Sequence, residues 1–574
     1  MPYLPSSPWL ARADAAELTK TTPKQFSDLS VDIKTLIVEH IARPTDLVRV
    51  CLTCKQLHEI AVRFLYNCVG LDVGSSMISE LSAFLNPRNI GLPFIRKLDL
   101  YQSDMDSCCI QVQQARAQQA KFAIRMILEL LPENILEDLC WHPWSEFSTD
   151  NLLLLFRKQK RLQWAECMLT DRDILPEIEK LPDFETMFSN ITKVGLYPNR
   201  TRVLDYCGAV MKRAPKVERL ILHAIFDDSD EPVTSRELND SSTGPGLITT
   251  SIFGHMRPFA KCTPLALTDV TLQKIHLRYA AETYCKFIDF GTVQELRVFS
   301  CSGADAFLAE LSKSTKLPQK LRVLEFKHED NAEEDALNAL DGFLCLVTGI
   351  EILTIDIQGV KSLPASAGIK RHSKTLDQLT VHASRNSHPG DEEEHVYEYT
   401  SFQDICKCSQ LEQLSIGFPA TSLVRDTTDS FKDWVECLND LPNLVTLHIT
   451  TWPNNPPSTS LLPRKIYEQL LAGLAQFIFK GHSKLAVIAF GTSDKVYGRE
   501  DSKNQVIFVR GKQVDPLRNE SVCAIQIGWC LRRYVEPRSE VLDFELSRIS
   551  RPPTRDSPAS DDIIVLPLPP VPTF

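Results

Sequence analysis

The chain has no apolar run near the roughly 20 residues that span a bilayer; stretches such as LLLLF at 152–156 are far too short. Its opening residues, MPYLPSSPWLARADAAE, lack the basic and apolar regions of a secretory signal, so no membrane partner is expected. It also lacks an excess of positive charge. The net charge is −11 over 574 residues and the isoelectric point is about 5.7, which argues against a nucleic-acid partner. Signatures of chemistry are missing: there is no GxGxxG, no GxxxxGK[ST], no HExxH and no GxSxG. The 17 cysteines are scattered and mostly flanked by Leu, Val or Ile, unlike a disulfide framework, so a reducing cytoplasm or nucleus is expected. Cys51-x-x-Cys54, Cys406-x-Cys408 and Cys108-Cys109 each lack the second pair that a four-ligand zinc site needs. The acidic run at 391–394 reads as a solvated loop rather than as paired catalytic carboxylates. No metal, no cofactor and no catalytic residue is expected.

What recurs instead is a short pattern, aliphatic-x-x-aliphatic-x-aliphatic. It is read at Ile95-Leu98-Leu100, Leu136-Leu139-Trp141, Leu162-Ala165-Cys167, Ile191-Val194-Leu196, Val217-Leu220-Leu222 and Leu272-Ile275-Leu277. It continues at Val293-Leu296-Val298, Leu321-Leu324-Phe326, Ile350-Leu353-Ile355, Leu376-Leu379-Val381, Leu411-Leu414-Ile416, Leu444-Leu447-Ile449 and Leu485-Ile488-Phe490. Several start-to-start intervals are 26 to 29 residues, such as 136 to 162, 162 to 191 and 321 to 350. Segments with helical periodicity lie between, at 121–131, 149–158, 201–213, 305–313, 335–347, 431–439 and 465–479. Strand then helix at a near-constant period predicts an α/β solenoid, parallel strands on a concave face and helices on the convex one. A doubly wound enzyme fold would need a Gly-rich phosphate turn after an early strand, and none is present. Polar insertions near 227–246, 384–394 and 450–460 stretch the longer intervals.

Ahead of the repeats, residues 26–73 predict three short amphipathic helices. The first runs over 31–42, capped by Ser30, with Ile33, Leu36, Ile37 and Ile41 as one apolar stripe. Pro44 ends it. Thr45 or Asp46 starts a second helix carrying Leu47, Val48, Val50 and Cys51, and a third spans 54–66. Helices this small bury little surface by themselves. They serve either as a cap on the first repeat or as a docking unit for a partner.

These residues resemble an F-box, the motif that binds the Skp-type adaptor of cullin–RING ubiquitin ligases. The resemblance rests on Leu29-Ser30, Asp32-Ile33, Ile37 and Ile41, Asp46-Leu47, Thr53-Cys54-Lys55 and Leu57, followed by Phe64-Leu65-Tyr66 and a strand at 69–73. Ser30 stands where the family has Pro, and Leu57 where it has Trp. With the Leu-x-x-Leu-x-Leu units, similar to leucine-rich repeats over 90–495, the whole looks like a fungal F-box protein with leucine-rich repeats. The resemblance implies a head at 25–70 and a repeat body at 71–548; the flanking segments 1–24 and 549–574, the latter Pro-rich, are expected to be disordered. It implies a non-catalytic, substrate-recognition adaptor in the ubiquitin pathway. Leu29, Ile33, Ile37, Leu47, Val50 and Lys55 would meet the Skp-type adaptor, and a cullin–RING ligase through it. The alternative is a repeat scaffold with no ligase role.

The strand register also nominates a target-binding face, from positions between the buried aliphatics. The early units place Lys97, Tyr101, Lys193, Tyr197, Arg219, His223, Lys274, His276, Arg278 and Arg297 there, a basic and aromatic set suited to an acidic or phosphorylated target protein. The plainer reading is that these side chains solubilise an exposed sheet.

Overall fold

The repeated aliphatics build one long sheet. The structure, a computed structural model, describes residues 26–543 apart from 42–43, 75–77, 103–109, 142–146, 168, 170–173, 227–239, 242–243, 314–316, 331–334, 386–394, 420–428, 452–463, 492–504, 515 and 529–530. The segments 1–24 and 549–574 and most of the three polar insertions therefore lie outside the described residues.

The strands are β1 (Cys68–Asp72), β2 (Lys97–Tyr101), β3 (Asp138–Trp141), β4 (Trp164–Glu166), β5 (Lys193–Leu196) and β6 (Arg219–His223). Two-residue strands β7 (Asp240–Ser241) and β8 (Gly244–Pro245) pair only with each other. Then come β9 (Asp269–Gln273), β10 (Glu295–Phe299), β11 (Val323–Glu329), β12 (Ile352–Gln358), β13 (Gln378–Ala383), β14 (Gln413–Ile416), β15 (Thr446–Ile449) and β16 (Val487–Phe490). A hairpin of β17 (Val506–Val514) and β18 (Glu520–Ile527) ends the series. All except β7 and β8 form one 16-stranded sheet in which spatial order follows chain order. Pairing is parallel from β1 to β16 and antiparallel only for the last two strands. An order without reversals gives an α/β solenoid-like stack rather than a doubly wound sheet.

Register explains the burial. In β10, Leu296 and Val298 are fully buried while Glu295, Arg297 and Phe299 alternate with them, half-buried. The aliphatic rows pack beneath helices that touch their successors, such as Ala304–Lys313 on Ala336–Leu346. The helices at Thr149–Lys158 and Thr201–Arg213 have the expected limits, and Ser148 caps the first by accepting from Asn151 N–H.

One unit is corrected. The strand of the sixth unit, β9, is not built on Leu272-Ile275-Leu277 but on Leu267-Val270-Leu272, because Asp269 pairs with Arg219 on one side and Glu295 on the other. Ile275 and Leu277 are buried too, so apolarity could not choose between the frames. The corrected start restores a period of 26 from 267 to 293.

At the N-terminal end lie α1 (Val31–Glu39), α2 (Pro44–Cys51) and α3 (Lys55–Leu65). Ser30 caps α1 through Ile33 N–H at 3.4 Å. β1 begins at Cys68, right after α3, and pairs with β2, so the helices join the sheet without a linker. Gly91 has no room for a Cβ against the Tyr66 ring. Leu47, Cys51, Ile60 and Leu65 share one continuous hydrophobic core that reaches Phe508 in β17.

Candidate functional site

Three surfaces carry chemistry: α1, the early strands on the face away from the helices, and the late strands on that same face.

The stripe on α1 is not in the core. The residues α1 buries are Lys34 and Val38, at 4% and 2% exposure, with Lys34 Nζ donating to Gln56 Oε1 at 2.7 Å. Val31, Ile33, Leu36 and Ile37 face solvent at 50%, 46%, 57% and 42%, with Phe26 nearby in the chain at 44%. Of the residues expected to dock, Ile33, Ile37 and Lys55 are exposed, Leu29 and Val50 are half-buried, and Leu47 is buried. Leu47 therefore holds α2 in the core and cannot itself offer a contact surface. Cys51 is buried and Cys54 exposed at the start of α3, so that pair does not face a common site.

On the early strands, the basic residues come with acidic neighbours. Asp138 of β3 lies between Lys97 of β2 and Lys193 of β5, at 3.6 and 3.7 Å. Arg219 meets Asp269 at 3.3 Å, and Arg297 meets Glu295 at 2.8 Å and Glu325 at 2.7 Å. Tyr101 and Tyr197 are buried; the Tyr197 hydroxyl donates to Glu166, and burial followed by that carboxylate pushes its pKa well up. His223 is buried at an edge-on distance of 6.0 Å from Tyr197, and desolvation, then Lys274, lowers it to about 3, so it is neutral. Lys193 also sits over the Trp164 ring at 4.9 Å. The expectation of a cationic face is thus corrected: the surface mixes both signs, with Lys193 beside Arg219 and Asp269 beside Glu295. The corrected register also removes Lys274, His276 and Arg278 from the strand row; they follow β9, and Arg278 pairs with Asp305 at 3.4 Å. Sequence reasoning missed Asp138, Glu166, Asp269 and Glu325, which the same register positions of β3, β4, β9 and β11 identify.

The late strands are covered. After β18 the chain returns as a short helix, Arg532–Val535, and a 3-10 turn, Glu540–Asp543. This strap crosses β14 to β17 on the face away from the helices. Thr446 Oγ1 donates to Arg538 O at 2.6 Å, Gln413 Nε2 to Glu540 Oε2 at 2.6 Å and Gln505 Nε2 to Leu542 O at 3.2 Å. Val541 N–H donates to Gln413 Oε1 at 3.2 Å, and Arg538 meets Glu412 at 2.9 Å. His448 Nε2 donates to Gly491 O at 2.7 Å, and burial lowers its pKa. Val541 and Leu542 fill a small apolar shelf of Val487, Ala489, Ile507 and Val509. No sequence signal marked the strap, which carries no repeat pattern.

Among the described residues, no helix is long and apolar enough to cross a membrane, and no group of three or more His, Cys, Asp or Glu could hold a metal ion. No family model matches the chain, and no curated protein matches it in sequence.

Proposed function

We propose that the chain is the substrate-selecting subunit of a Skp–cullin–F-box type ubiquitin ligase, working in the cytoplasm, the nucleus or both. The head docks on the Skp-type adaptor and the sheet face takes the target protein. The observation that carries this reading is the solvent-facing stripe of α1, Ile33, Leu36 and Ile37. Soluble proteins expose single apolar residues freely, but three on one face of a short helix mark a binding surface. The motif resemblance names the kind of partner. The contribution is positional: holding adaptor and target together raises the effective concentration of the target at the ubiquitin-carrying enzyme.

The second reading, a repeat scaffold with a helical cap, is favoured by the inner faces of α2 and α3, which seal the first strands through Leu47, Cys51, Ile60 and Leu65. A cap alone would carry a polar outer face on α1. The test is co-purification of the full chain with a Skp-type adaptor. A stoichiometric complex is expected; a folded chain that captures no adaptor leaves the scaffold reading.

A further inference from the structure

The strap is held mainly by side chains that stand on strands and read its backbone. Gln413 takes both the Glu540 carboxylate and Val541 N–H, Thr446 takes a carbonyl, and Gln505 takes the next carbonyl but three along. Glu412 receives Arg538, and the shelf around Val487 receives two aliphatic side chains. Polar side chains reading main chain beside one charge site and one apolar shelf is the chemistry of peptide recognition. The strap adds no strand to the sheet. Its Val541 and Leu542 belong to a six-residue cluster separate from the main core, so lifting it leaves the repeat core sealed.

From this we infer that the late sheet face is a peptide-binding site whose present occupant is the chain's own segment 536–543. A target reaches it by displacing that segment. The fitting ligand is a protein segment with a basic residue, an acidic residue two positions later, and two aliphatics directly after, the last three in a 3-10 turn. Arg538, Glu540, Val541 and Leu542 are this chain's own copy of that pattern. The inference rests on the target-capturing reading of the sheet, yet stands apart from adaptor docking. Failure of adaptor co-purification would leave it untouched.

The test uses the full chain and a fluorescent peptide, EPRSEVLD, with a scrambled control, followed by anisotropy. The Arg538→Glu variant sets a negative charge beside Glu412 and loosens the strap. It is expected to bind the peptide at least about tenfold more tightly than the parent chain, whose site is filled. Adding Glu412→Arg to that variant restores the opposite charges, closes the strap and returns binding to the parental level. Peptide binding to neither chain, equal binding to both, or loss of the cooperative fold in Arg538→Glu would each overturn the inference. The segment would then be a permanent part of the body.

Discussion

Replacing Ile33 and Ile37 together by Ala separates docking from folding on one helix. Both sit on the outer face of α1, at 46% and 42% exposure. Burying an isoleucine fully is worth about 1.5–3 kcal/mol, so covering what remains exposed is worth about 1 kcal/mol each and about 2 kcal/mol for the pair. That corresponds to a loss of adaptor affinity of about 30-fold. The fold is expected to hold. The helix's own turns cover part of each side chain, and the better helix propensity of Ala offsets about 0.4 kcal/mol per position. Leu47→Ala is the opposite case. At 5% exposure it opens a cavity and costs about 2–5 kcal/mol. Isothermal titration with purified adaptor and urea unfolding, run on both variants, give the two readouts. Undiminished adaptor binding by the folded Ile33→Ala/Ile37→Ala chain would refute the docking role of the stripe.

Two further outcomes follow from buried charge. Burial, then Glu412, raises the Asp377 carboxyl from 3.8 to about 6. The folded chain therefore holds this proton more tightly than the unfolded chain, and the favourable contribution present below about pH 4 is lost as the pH rises through about 6. Asp377→Asn is expected to be more stable than the parent near neutral pH, with the gain gone at about pH 4, by urea unfolding at each pH. His382 Nδ1 lies 2.8 Å from Asp356 Oδ1, with both side chains almost wholly buried. His382→Ala leaves the carboxylate without that bond and is expected to cost about 3 kcal/mol by chemical denaturation.

The solenoid was legible because its determinants are local and repeated. Leu324 and Phe326, or Leu353 and Ile355, are forced inward by strand alternation, and their spacing sets the helices between. The sixth unit was misread where Val270, Leu272, Ile275 and Leu277 are all buried. Only the neighbouring strands chose the frame. The α1 stripe was legible as apolar, but its direction was not: the helix buries Lys34, whose ammonium reaches Gln56, while Leu36 looks outward. Periodicity reports that a face is apolar, not whether its cover lies in the same chain. The early sheet face looked cationic because the strand positions of Asp138, Glu166 and Asp269 had not been read beside those of Lys193 and Arg219. The strap could not be read at all. Its contacts span up to 128 residues of chain, as between Gln413 and Val541, and leave no periodic trace.

The direct passage from α3 into β1 sets a bearing. With β1 paired to β2, Tyr66 wedged over Gly91 and α1 packed on α3, the described residues place no hinge between the outer face of α1 and the rungs of the sheet. Any body seated on that helix is held at one angle and one distance from any body lying on the strands. On the reading proposed above, reach would be a matter of rung number: a guest on β5 and a guest on β14 would stand at different ranges from the same dock, and only some of their lysines would come within the arc of a third party.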